Sequence, residues 1–204
     1  MGTAEAGEEA LAGIRLLRPE IGEEEADRIA VKSAMNEILL EHGMGMIHAA
    51  AVAAEGEAYL FAAHGGGGKT THALQWKKAF GSSAEILCGD YPTLSFDENR
   101  AFVSGSPWRG KEELGGVGTL PVAGIAFLVQ GRENRIRALG SGEIIRRLFD
   151  QLVIPETEER MQDYLRLADR LMRTVPFYEL TCDISEDAAR TSYTFMKENR
   201  YENG

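Results

Sequence analysis

The chain is poor in the residues that build cross-linked or metal-bound scaffolds: its 204 residues include two cysteines, Cys88 and Cys182, and four histidines. Two thiols so far apart exclude a disulfide framework and are expected to be reduced and structural. His42, His48, His64 and His72 lack the spacing of a zinc motif such as H-E-x-x-H, so no histidine-based metal centre is expected. Long apolar runs are missing too. Nothing approaches the roughly 18 uninterrupted apolar residues of a membrane span, and no charged segment leads into an apolar one at the N-terminus. The expectations are no membrane partner and a cytoplasmic location. Basic charge is in deficit, with 22 Lys and Arg against 32 Asp and Glu for a net charge of −10. That balance disfavours non-specific binding to nucleic acid, so no nucleic-acid partner is expected. The arginines at 132, 135, 137, 146 and 147 point in scattered directions by alternate and helical spacing, and read as a solvated face.

Glycine, by contrast, is concentrated in one place. The run Ala63-His64-Gly65-Gly66-Gly67-Gly68-Lys69-Thr70-Thr71 follows an apolar strand, Glu57 to Ala62, and precedes a helical pattern that Gly81 closes. The strict phosphate-loop pattern places Gly where Ala63 stands, so the flanking strand and helix carry the assignment. Glycines at 65 to 68 take positive φ without a Cβ penalty and let successive backbone N–H groups converge on phosphate oxygens, aided by the helix N-terminus. Gly65, Gly66, Gly67, Gly68, Lys69, Thr70 and Thr71 are therefore the expected nucleotide-binding residues. Lys69 would reach the β- and γ-phosphates, and Thr70 would offer its hydroxyl to Mg²⁺.

The remaining pattern predicts one globular domain of alternating helices and strands. A helical stretch around Glu8 to Leu17 and a second helix from Glu23 lead in, with Ala26, Ile29, Ala30, Ala34, Ile38 and Leu39 on one face and Glu41-His42-Gly43 as its stop. Met46 to Ala54 reads as one strand, joined through Glu55-Gly56 to the strand before the glycines. Ala84 to Cys88 is a strand that ends at Gly89-Asp90. Strands over Thr93–Phe96, Arg100–Val103, Val122–Val129, Arg135–Leu139 and Phe177–Leu180 are expected, with helices over Gly142–Gln151, Thr157–Thr174 and Ser185–Asn199. Ser104 to Gly118 reads as a long loop of the kind that closes over sites.

In this order and spacing, Met46 to Val52, the glycine loop, Leu87-Cys88-Gly89-Asp90, the Ser106 to Lys111 loop and Val175 to Leu180 resemble the HPr kinase/phosphorylase-like family. The likeness covers roughly residues 43 to 195. In particular it looks like the small HPr-kinase-related proteins of modified-peptide pathways, including kinases of lasso-peptide serines. The resemblance implies an α/β, mixed-sheet P-loop domain of the HPr kinase C-terminal and phosphoenolpyruvate carboxykinase type over 43–204, preceded by a short helical segment over 1–42. It also implies assembly as a homo-oligomer through this domain. His48 falls where the family has a histidine beside the phosphates. The family's strand after the loop helix ends in two acids, whereas this chain has Gly89-Asp90, leaving Asp90 as metal ligand, base or both. Glu113 matches, loosely, a family glutamate, and Arg109 and Lys111 would neutralise the transferring phosphoryl group. The expected catalytic residues are thus Asp90, His48, Lys69, Glu113 and Arg109, with Thr70 and Asp90 as metal ligands and ATP and Mg²⁺ as cofactors. GTP or pyrophosphate would fit the same cradle. The family's long signature for the HPr protein is missing, so the expected activity is transfer of the ATP γ-phosphoryl group to a hydroxyl of a peptide, protein or small molecule other than HPr. Two alternatives stay open: a nucleotide-binding accessory protein that lost turnover with the first acid, and a P-loop NTPase of another fold.

Overall fold

The computed structural model describes residues 8–108, 115–116 and 118–199. Two helices, α1 (Glu8–Leu17) and α2 (Glu23–Glu41), lead into β1 (Gly45–Met46), β2 (Ala49–Ala54) and β3 (Glu57–Ala62). Then come α3 (Lys69–Phe80), β4 (Ala84–Cys88), β5 (Thr93–Phe96), β6 (Ala101–Ser104), β7 (Thr119–Gln130) and β8 (Arg135–Ala138). The chain continues through α4 (Ser141–Phe149), α5 (Glu158–Thr174), β9 (Phe177–Cys182) and α6 (Glu186–Glu198). Among the described residues the mixed sheet has nine strands in the order β1-β5-β6-β7-β3-β2-β4, with β9 added beside β7 and β8 beside β9. This is the α/β, mixed-sheet architecture expected. No helix among the described residues is long and apolar enough to cross a membrane.

Strand direction places the site. β2 runs antiparallel to both neighbours, with Ala49 opposite Ala62 on β3 and Ala51 opposite Cys88 on β4. The start of β2 therefore lies between the ends of β3 and β4, so His48, the glycine loop and Gly89-Asp90 all leave the sheet along one edge. β7 binds the two halves of the sheet: its first residues pair with β6, and its centre runs parallel to β3 and β9. Pro121, which has no N–H to give, sits in the stretch paired with β6.

Period-2 alternation feeds two cores, because the central strands are covered on both faces. Ala49, Ala51, Ala58, Leu60 and Ala62 turn toward Leu148, Leu167 and Leu171 of α4 and α5. Ala50, Val52, Tyr59 and Phe61 turn toward Ala73 and Trp76 of α3 and toward α6. Trp76 is the pivot of this second core. Its ring packs 5.0 Å from Tyr59, 5.4 Å from Phe61 and 5.6 Å from Tyr193, and its indole N–H donates to Ser192 Oγ at 3.1 Å. Burial of a side chain such as Phe61 contributes roughly 1.5–3 kcal/mol, so α3 and the loop that starts it rest on a stiff base.

Three expectations need correction. Met46 to Ala54 is two strands, because the Ile47 N–H goes to Pro92 O at 3.3 Å and the His48 N–H to Gln151 O at 2.8 Å, so the chain changes sheet neighbours between them. An alanine-rich run carries no signal for that change. On α2 the buried residues are Ala26, Ala30, Asn36 and Leu40, whereas Ile38 is 40% exposed. Asn36 earns burial by accepting from Met46 N at 3.0 Å and donating to Val153 O at 2.9 Å. Finally, β7 starts at Thr119, three residues ahead of the expected Val122, because it also closes β6.

Candidate functional site

The glycine loop is a built structure. Gly66 and Gly68 hold φ of 77° and 94°, in the left-handed region that side chains avoid. Gly68 is the N-cap of α3, and its carbonyl accepts from His72 N at 2.8 Å to start the helix. Gly67 donates to His64 O at 2.8 Å. A Cβ at Gly67 would lie 2.5 Å from Ala63 Cβ and 2.9 Å from His64 O, so the turn closes only without one. The loop floors a cavity of about 590 Å³ lined by Gly65 to Thr71, Gly89, Asp90, His48 and Glu25.

Three predicted residues meet on its wall. Lys69 Nζ lies 2.7 Å from His48 Nε2 and donates to Ala63 O at 3.3 Å. An ammonium has only donors, so His48 Nε2 must accept with its lone pair and the imidazole must be neutral. Burial, then Lys69 and Lys32, push the His48 pKa down to about 4, against the Gln151 side chain, which favours the protonated ring. Gln151 itself is buried, with its amide nitrogen oriented to the Ala63 and His48 carbonyls at 3.1 and 3.2 Å. Asp90 Oδ1 stands 3.6 Å from His48 Nε2. With that nitrogen committed as an acceptor, the approach is not an ion pair. Oδ1 is buried and has no hydrogen-bond partner among the described residues. Burial raises the Asp90 pKa, and Lys69 and Lys32 oppose the rise; burial also lowers the Lys69 pKa, opposed by Asp90.

The Asp90 turn is tied down by a thiol. Cys88 Sγ donates to Asp90 O at 2.9 Å and lies 3.5 Å from Trp108 O, joining the end of β4 to the loop after β6. Gly116 N returns to Leu87 O at 3.0 Å. Both cysteines are free, as expected. Arg109, Lys111 and Glu113, predicted on this loop, lie outside the described residues. Among the arginines set aside as surface, Arg137 pairs with Glu143 at 2.8 Å and Glu179 at 3.0 Å, and Arg147 also pairs with Glu179. Among the described residues no cluster of three His, Cys, Asp or Glu side chains is placed to hold a metal. The oxygen donors Thr70 and Asp90 do line one cavity, which suits a hard cation that keeps most of its water.

Sequence inspection missed the far side of Asp90. A second cavity, of about 710 Å³, shares His48, Asp90 and Glu25 with the first and is walled by α2, Tyr91 and Trp108. Tyr91 adopts φ 47°, stacks on His48 with centroids 4.8 Å apart, and carries Lys32 Nζ 3.6 Å above its ring. A third cavity, of about 430 Å³, opens on the other side of the loop between Gly66 to Gly68, His72 and Gln75 of α3, and Gln130, Cys182 and Ile184 at the ends of β7 and β9. The loop thus has open space on both sides.

No family model matches the chain, and no curated protein matches it. Among solved structures, the HPr(Ser) kinase/phosphatase from Coxiella burnetii is similar with a TM-score of 0.44 and 11% identity, over 76% of this chain and 95% of that one.

Proposed function

We propose that this protein is an HPr-kinase-like, Mg²⁺-dependent kinase that transfers the γ-phosphoryl group of ATP to a hydroxyl of a peptide, protein or small molecule. The observation that carries the proposal is the meeting of Lys69, His48 and Asp90 at the junction of two cavities, one of them floored by a glycine cradle. The nucleoside has room on the far side of the loop, between α3 and the ends of β7 and β9. The domain is read as 43–204, with 1–42 contributing α2 to the site, in a cytoplasmic enzyme.

Backbone N–H groups of the loop and the N-terminus of α3 gather the phosphates. Lys69, held at rest by His48 and Ala63 O, turns its ammonium to them and neutralises charge as it develops. Thr70 and Asp90 would hold Mg²⁺, which supplies further charge neutralisation and alignment of the phosphates. Once Lys69 has turned away, His48 Nε2 has a free lone pair beside Asp90. The orphaned Asp90 Oδ1 accepts a hydrogen bond from the incoming hydroxyl and then its proton, as the new oxygen–phosphorus bond forms and the bond to the ADP oxygen breaks. A carboxylate whose pKa is raised by burial suits that task better than an ordinary one.

The test is Asp90→Asn with γ-labelled ATP and a panel of hydroxyl-bearing peptides and metabolites. The variant should still bind nucleotide and lose about 10²- to 10⁴-fold in transfer. Nucleotide binding by wild type without transfer to any acceptor would favour an accessory protein instead, in keeping with Gly89 on the cradle wall where the family implies an acid.

A further inference from the structure

The second cavity is a charged cleft, lined by Arg18, Arg28 and Lys32 on one side of the balance and Glu24, Glu25 and Asp90 on the other. One stripe of α2 faces it with Glu25, Arg28, Ile29 and Lys32, spaced so that they share a side of the helix. Glu25 stands where the two cavities join. Beyond it come two cations four residues apart. Neither Arg28 nor Lys32 forms an ion pair among the described residues, although Glu24 and Glu25 lie within a helical turn of Arg28. Lys32 is half-buried and rests on the Tyr91 face. Burying an ammonium without a counterion is costly. Burial lowers its pKa, as does Arg28, while Asp90 works the other way. A site that keeps a half-buried lysine and an exposed arginine, neither ion-paired among the described residues, beside the reactive carboxylate is poised for an anion, and Tyr91 and Trp108 supply flat walls for its carbon frame.

Resting on the kinase reading above, we infer that the acceptor is an anionic hydroxy compound, whose carboxylate or phosphate is held by Arg28 and Lys32 of α2 while its hydroxyl faces Asp90. The N-terminal helix is then the acceptor-recognition element of the enzyme. Lys32 serves twice. It binds the anion, and through Tyr91 and its charge it fixes the ring stacked on His48.

The experiment reads binding without turnover. N-acetylserine, which carries a carboxylate, and N-acetylserinamide, which does not, are titrated against the full chain and followed by the fluorescence of Trp108, with Trp108→Phe as the control that isolates it from buried Trp76. The carboxylate form should bind about tenfold more tightly than the amide, a preference lost in Arg28→Ala and in Lys32→Met, which keeps the stem over Tyr91. ATP affinity in both variants should stay within about twofold of wild type, since neither residue lines the cradle. Equal binding of the two probes, no saturable binding of either, or a preference that survives both substitutions would overturn the inference. The outcomes separate the two claims: anion-selective binding with no transfer sinks the kinase and leaves the pocket, whereas transfer to neutral and anionic hydroxyls alike leaves the kinase and sinks the pocket.

Discussion

The two cavities that meet at Asp90 are built by opposite means. The cradle is backbone: its shape depends on φ angles at Gly66 and Gly68 and on the missing Cβ of Gly67, and α3 anchors it to an aromatic core through Trp76. The second cavity is side chain: Lys32, Tyr91, His48 and Asp90 touch in series, drawn from three segments of the chain, and all four carry a shifted pKa. Dipoles of N–H groups do not titrate and do not change rotamer. The cradle should therefore be nearly indifferent to pH and intolerant of any added atom, while the acceptor side should tolerate changes of shape and respond to charge.

The sharpest way to break this contrast is at Gly67. Gly67→Ala brings a Cβ within 2.5 Å of Ala63 Cβ and 2.9 Å of a carbonyl oxygen, and strain of about 1–3 kcal/mol corresponds to roughly a 5- to 150-fold loss of nucleotide affinity. Adding Ala63→Gly removes the first clash but not the second, so the double variant should recover part of the loss. Additive effects in the double-mutant cycle would mean that the two residues do not share the turn.

A smaller effect comes from acid. His48 and His72 both have pKa values pushed down to about 4, by burial first in each case. In the unfolded chain each takes up a proton near pH 6.5. Between these values the unfolded state holds more protons, so stability falls as pH drops from about 6.5 toward 4, by on the order of 1 kcal/mol or more per ring. Asp90, whose pKa is raised, opposes the trend. Urea midpoints across this range should flatten in His72→Gln and flatten less in His48→Gln, since His72 is 3% exposed and His48 only half-buried. An unchanged slope in both variants would contradict the neutral imidazoles assigned to the site.

The same contrast explains what the amino-acid sequence revealed. A cradle made by consecutive residues leaves a consecutive signature, and the loop, its strand, its helix and the Gly81 stop were all legible. So was the turn at Glu55 and Gly56, both at positive φ. Asp90 was visible because it ends a strand. Arg28 and Lys32 were not, because a charged residue on a helix looks like a solvated one until the partner surface is known; the weak clue is that Lys32 sits among Ile29, Ala30 and Ala34. Tyr91 had no periodic context, and its left-handed φ cannot be read from its type. The break at His48 was hidden in an alanine run whose hydrophobicity is the same whichever strand it pairs with.

The central claim is that the glycine loop and Lys69 hold the phosphates of a nucleotide beside Asp90. Calorimetric titration of Mg·ATP into wild type and Lys69→Met tests it most directly. Saturable one-site binding that weakens at least about tenfold in the variant is the expected result. No binding to wild type, or equal binding to both proteins, would contradict it.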